Sequence, residues 1–69
     1  MRVEEYMRLI EEYCREKEKY GVKRVFTVRW LMRVFNIPKD EKMKLLYAIK
    51  RMNKEGKIKK RSGKAWEWK

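Results

Sequence analysis

Apolar side chains in residues 2–20, RVEEYMRLIEEYCREKEKY, recur at helical spacing, so that Val3, Tyr6, Met7, Ile10, Tyr13 and Cys14 share one stripe. The pattern predicts a helix of about five turns, stopped by Gly21 in the left-handed backbone that ends helices. Glu4 with Arg8 and Glu11 with Arg15 stand four apart with the acid first, a favourable order worth about 0.2–0.5 kcal/mol per pair. The β-branched and aromatic residues of VKRVFTV are too few for a long strand and predict a short one at about 24–26. Thr27 is placed to cap a second helix, 28–36, with Val28, Leu31, Val34 and Phe35 on one face, Arg29, Arg33 and Asn36 on the other, and Trp30 at the boundary. FNIP ends it, because Asn36 tolerates the left-handed conformation and Pro38 drives Ile37 out of the helical region.

A third helix is expected over 40–55, with Asp40 and Glu41 at the positive end of its dipole and Gly56 closing it. Leu45, Leu46, Ile49 and Met52 form its apolar stripe; Lys44, Tyr47, Lys50, Arg51 and Lys54 lie opposite, with Met43 at the edge. Residues 57–68 read as a hairpin. With Arg61, Ser62 and Gly63 as a three-residue loop, Gly63 takes the left-handed position and Ile58 falls opposite Trp66. Ile58, Trp66 and Trp68 then share the inward face, and Lys60, Arg61 and Lys64 mark an exposed tip.

Charge changes the picture by its distribution. Of the net +11, residues 1–21 contribute five basic and six acidic side chains, and residues 22–69 sixteen basic and four acidic. The Lys/Glu-rich composition with no His or Gln resembles the hyperthermophile bias, but that bias raises both signs together and leaves a one-sided excess unexplained. A polyanionic partner accounts for it. A chain of 69 residues makes one domain, 1–69, in which nearly every large apolar residue is needed for the core.

Cys14 is the only cysteine, which points to a small core residue, no disulfide and a cytoplasmic setting. Neither a membrane span nor a signal peptide is expected, since the longest apolar run is LLYAI. With one Ser, one Thr and no His, no nucleophile has a base of the usual kind nearby, so an enzyme is not expected, nor a metal or other cofactor.

The order helix, short strand, helix, turn, helix, hairpin resembles the winged helix-turn-helix superfamily of DNA-binding domains, in its small archaeal type. TVRWLMRVFNIP is similar to the second helix and turn of that superfamily, and AIKRMNKEGKIKKRSGKAWEW to the end of its recognition helix and wing. The resemblance covers nearly the whole chain. It implies a mainly α fold with a small β-sheet (α+β), three helices and a C-terminal β-hairpin wing. It also implies a double-stranded DNA partner, a nucleoid-associated location and a transcription-factor or architectural function. Carried over by residue, it places Lys44, Tyr47, Arg51 and Lys54 at the major groove with Lys50 beside them, and Arg61 at the minor groove; Lys60 and Lys64 are presented with Arg61 by the wing tip to a phosphate backbone, and the second helix could add Arg29 and Arg33 to phosphates. Arg51 is the one residue of that helix face able to contact guanine bidentately, and Asp40 stands where it repels phosphate, so modest sequence discrimination is implied. The charge-balanced first helix, with Arg2, Arg8 and Arg15, is expected to contribute little. The alternative is a docking subunit of a larger nucleic-acid assembly, such as a polymerase or transcription accessory factor, using Trp30, Met43 and Tyr47 as a contact patch. Monomer and homodimer, and DNA and RNA, both stay open.

Overall fold

A computed structural model describes residues 2–21 and 25–69. In chain order it contains α1 (Val3–Lys19), β1 (Val25–Thr27), α2 (Val28–Val34), a 3-10 turn (Lys39–Glu41), α3 (Lys42–Lys54), β2 (Ile58–Ser62) and β3 (Ala65–Trp68). The strands form one antiparallel sheet in the order β1-β3-β2. This is a mainly α fold with a small sheet, arranged as a three-helix winged helix-turn-helix whose wing is the β2–β3 hairpin.

The helix ends follow the local chemistry. The Thr27 hydroxyl accepts from the Trp30 N–H at 3.1 Å and caps α2. Asn36, at φ 53, turns the chain after it. Beyond α3, Gly56 at φ 77 lets the Lys57 N–H reach the Met52 carbonyl at 3.0 Å, a closing bond over the last turn. The third helix begins at Lys42 rather than residue 40, because the residues after Pro38 wind first as a 3-10 turn, with the Glu41 N–H bonded to the Pro38 carbonyl. Arg24, expected in the first strand, lies outside the described residues, and β1 runs on to Thr27.

Helix, sheet and loop meet in a core of Tyr6, Ile10, Cys14, Phe26, Leu31, Leu45, Ala48, Ile49, Met52 and Ile58. Two expectations change on α2. Val34 is exposed, while Met32 packs against the core in its place, since α2 stops at Val34 and the turn carries Phe35 and Ile37 back inward. On α3, Ala48 is fully buried and belongs to the stripe.

The hairpin differs in register from the expectation. Ile58 pairs with Trp68, Lys59 with Glu67, Lys60 with Trp66 and Ser62 with Ala65, leaving Gly63 and Lys64 as a two-residue loop and Arg61 as an extra residue in a bulge. The displacement is two residues, so the same side chains face the core. Electrostatics favours it. Both registers give Glu67 a lysine, Lys57 in the expected one and Lys59 here at 3.6 Å, but the expected one sets Lys60 against Lys64, whereas here Lys60 Nζ lies 5.9 Å from the Trp66 ring centre. Gly63 adopts φ 48 at the first loop position, where two-residue hairpins place glycine. Gly63→Ala is therefore expected to destabilise the fold by about 1 kcal/mol through backbone strain alone, since no atom crowds the site. A urea melt of the variant measures it.

β3 is central, and it brings Trp66 opposite Phe26 on one side and Lys60 on the other. Trp66 and Trp68 are half-buried and close over the core. Their inward orientation agrees with the alternation along the strand.

Candidate nucleic-acid interface

Burial of Leu45, Ala48, Ile49 and Met52 leaves the opposite side of α3 to Met43, Tyr47, Lys50 and Lys54, with Lys44 and Arg51 toward α1. Tyr47 is 61% exposed and Met43 62%, high values for side chains of their size. The first residues of the chain stand over this face. Arg2, Val3 and Glu4 form one wall, and Lys44, Tyr47, Lys50, Arg51 and Lys54 the other, of an open cleft of about 720 Å³.

The cations of the cleft fall into two groups. Lys44 Nζ lies 3.0 Å from Glu41, whose carboxylate also accepts from the Tyr6 hydroxyl at 3.1 Å. Arg51 is held from both sides, Nη1 at 3.4 Å from Glu4 and Nε at 3.7 Å from Glu55. Lys50 and Lys54 make no ion pair among the described residues. Glu4 was expected to pair with Arg8 and reaches across to α3 instead; Glu11 and Arg15 do pair, at 3.0 Å. Backbone hydrogen bonding at the start of α1, then the Arg51 guanidinium, hold the Glu4 carboxyl below its ordinary range.

Tyr6 is buried in the core, with its hydroxyl on Glu41. Burial first, and then the Glu41 carboxylate that its hydroxyl serves, push the phenol above its ordinary value. The neutral phenol is the form favoured by folding, so its contribution is intact below about pH 10 and is lost as pH rises toward the higher folded value. Tyr6→Phe is expected to flatten part of the alkaline loss of stability, which urea midpoints of the two proteins across that range will measure.

The other expected residues divide between two places. Arg29 and Arg33 flank Trp30 beside Thr27 in a recess of about 400 Å³, and neither arginine has an ion pair among the described residues. The Trp30 indole N–H donates to the Tyr13 hydroxyl, and the Tyr13 ring meets Phe35 edge-on at 5.6 Å. This recess thus adjoins the second half of α1, whereas the larger cleft adjoins its first turn, ten residues or about 15 Å along the axis.

On the wing, Arg61 Nη1 is 3.3 Å from Glu67, and Lys60 covers Trp66 on the core side of the sheet rather than standing at the tip. Lys64, in the loop, has neither kind of contact among the described residues.

Arg2 and Glu4 were not legible as interface residues. They belong to the charge-balanced helix, and only the packing of α1 against α3 carries them to the basic face. No helix among the described residues is long and apolar enough to cross a membrane. No protein-family model matches the chain, and neither a curated protein nor a solved structure matches it significantly.

Proposed function

We propose that the protein binds double-stranded DNA through the outward face of α3 and the wing, with modest sequence discrimination, as an architectural or transcription-associated factor of the cytoplasm or nucleoid. The observation that carries the reading is Lys50 and Lys54, with no ion pair among the described residues, beside exposed Tyr47 on the third helix of a helix-turn-helix arrangement. Two ammonium groups held on one exposed helix face repel each other, and phosphates relieve that repulsion. Lys44, Arg51 and Arg61 join them at small cost, because exposed ion pairs such as theirs are worth at most about 1 kcal/mol. Arg29, Arg33, Lys60 and Lys64 extend the contact to flanking phosphates. Held between Glu4 and Glu55, Arg51 is the residue suited to guanine, and one such residue supports only limited readout of sequence.

Fluorescence anisotropy of random-sequence duplex across a salt series tests the proposal. About five phosphate contacts give a slope of log affinity against log salt near −4.5, at about 0.9 per contact. Absence of binding at low salt overturns it. That outcome favours docking to a protein within a nucleic-acid assembly, a reading supported by Met43 and Tyr47, which expose large apolar side chains one turn apart on the same face.

A further inference from the structure

The cleft between α1 and α3 is concave, and this bears on what enters it. A helix that lies in a major groove offers a convex ridge to base edges whose flat faces are stacked out of reach. Here the exposed Tyr47 ring lines a recess whose far wall is Arg2, Val3 and Glu4. Its volume, about 720 Å³, leaves room for one nucleotide in an open site. Tyr47 and Val3 supply apolar surface within it, while Lys50 and Lys54 offer ammonium groups with no ion pair among the described residues. The one carboxylate of the cleft wall, Glu4, is engaged by Arg51. An aromatic face with cations beside it is the chemistry that holds an unstacked base on its strand.

Resting on the reading that this face binds nucleic acid, we infer that the α1–α3 cleft seats a single unpaired nucleotide strand at a duplex end. One base stacks on Tyr47, and its flanking phosphates meet Lys50 and Lys54. The strand enters from the side of Lys50 and Lys54, whose ammonium groups have no ion pair among the described residues. The preferred ligand is then a duplex with a single-stranded overhang rather than a blunt one.

The test compares a blunt duplex with the same duplex carrying a short oligothymidine overhang, 3′ or 5′, by anisotropy at fixed salt. The wild-type protein is expected to bind at least one overhang duplex more tightly than the blunt one. Tyr47→Ala is expected to lower overhang affinity by about 5- to 150-fold more than blunt affinity, the usual span for losing one stacked base, and Tyr47→Phe to retain the difference. Tyr47 is largely exposed, so both variants are expected to fold, and circular dichroism verifies it. Equal affinity for blunt and overhang duplexes overturns the inference, as does an equal loss on both with Tyr47→Ala. The two proposals separate cleanly: blunt binding with no overhang preference removes the cleft inference alone, and overhang binding without blunt binding removes the duplex proposal alone.

Discussion

Phe26→Ala is expected to destabilise the protein by about 3–5 kcal/mol, the range for deleting a large aromatic from a core. Phe26 is 2% exposed and is the one fully buried residue of three-residue β1. It faces Trp66 across the sheet, so its loss opens a cavity under the central strand beside the edge strand. Domains of this kind have total stabilities of about 5–15 kcal/mol, so the variant is expected to be partly unfolded at room temperature or to melt far below the wild type. Trp66→Ala is expected to cost less, because that indole is only half-buried and keeps one flank near Lys60. Urea denaturation followed by far-ultraviolet circular dichroism gives both values. A loss below about 1 kcal/mol for Phe26→Ala would mean that β1 contributes little to the core, contrary to the packing described.

The second large effect is on binding. Replacing Lys50 and Lys54 together by Gln removes two cations while keeping residues that favour helix. Two phosphate contacts at about 0.9 each flatten the salt slope by about 1.8 and, extrapolated from a 1 M reference, lower duplex affinity at 0.1 M salt by about 60-fold. Random and defined duplexes should lose equally, since phosphates carry no sequence. The control is Arg8→Gln with Arg15→Gln, on the outer side of α1 where Arg15 already pairs with Glu11. Arg2 is not a suitable control, because it lines the cleft. Equal losses from the α1 and α3 pairs would show a diffuse attraction of a basic molecule rather than a footprint.

What the sequence displayed and what it hid divide along the reach of each interaction. The presence of three helices, the Thr27 cap and the left-handed backbone at Gly21, Asn36, Gly56 and Gly63 depend on residues a few places apart and are as expected, although α2 and α3 are shorter than expected and Gly63 opens a two-residue loop. The inward face of the hairpin was legible for the same reason. Its register was not, because two loops differing by a bulge put the same residues on the core side, and they differ in cross-strand pairs such as Lys60 with Trp66 in place of Lys60 with Lys64. Ala48 was overlooked because a methyl group contributes little to an apolar stripe, yet it is fully buried. The largest omission was at the candidate site. Glu4 has a suitable partner four residues away in Arg8, and nothing in the local pattern indicates that it turns to Arg51, forty-seven residues on. That choice depends on how α1 crosses α3, and with it come Arg2 and the concave shape of the cleft.

The central claim is a localised duplex footprint on α3 and the wing, and amide chemical-shift mapping tests it most directly. On titrating duplex into labelled protein, the account predicts the largest changes along Lys42–Lys54 and at Gly63 and Lys64, with Arg8, Glu12 and Arg15 on α1 nearly unmoved. Changes concentrated on the outer side of α1, or spread evenly over every basic residue, would contradict it.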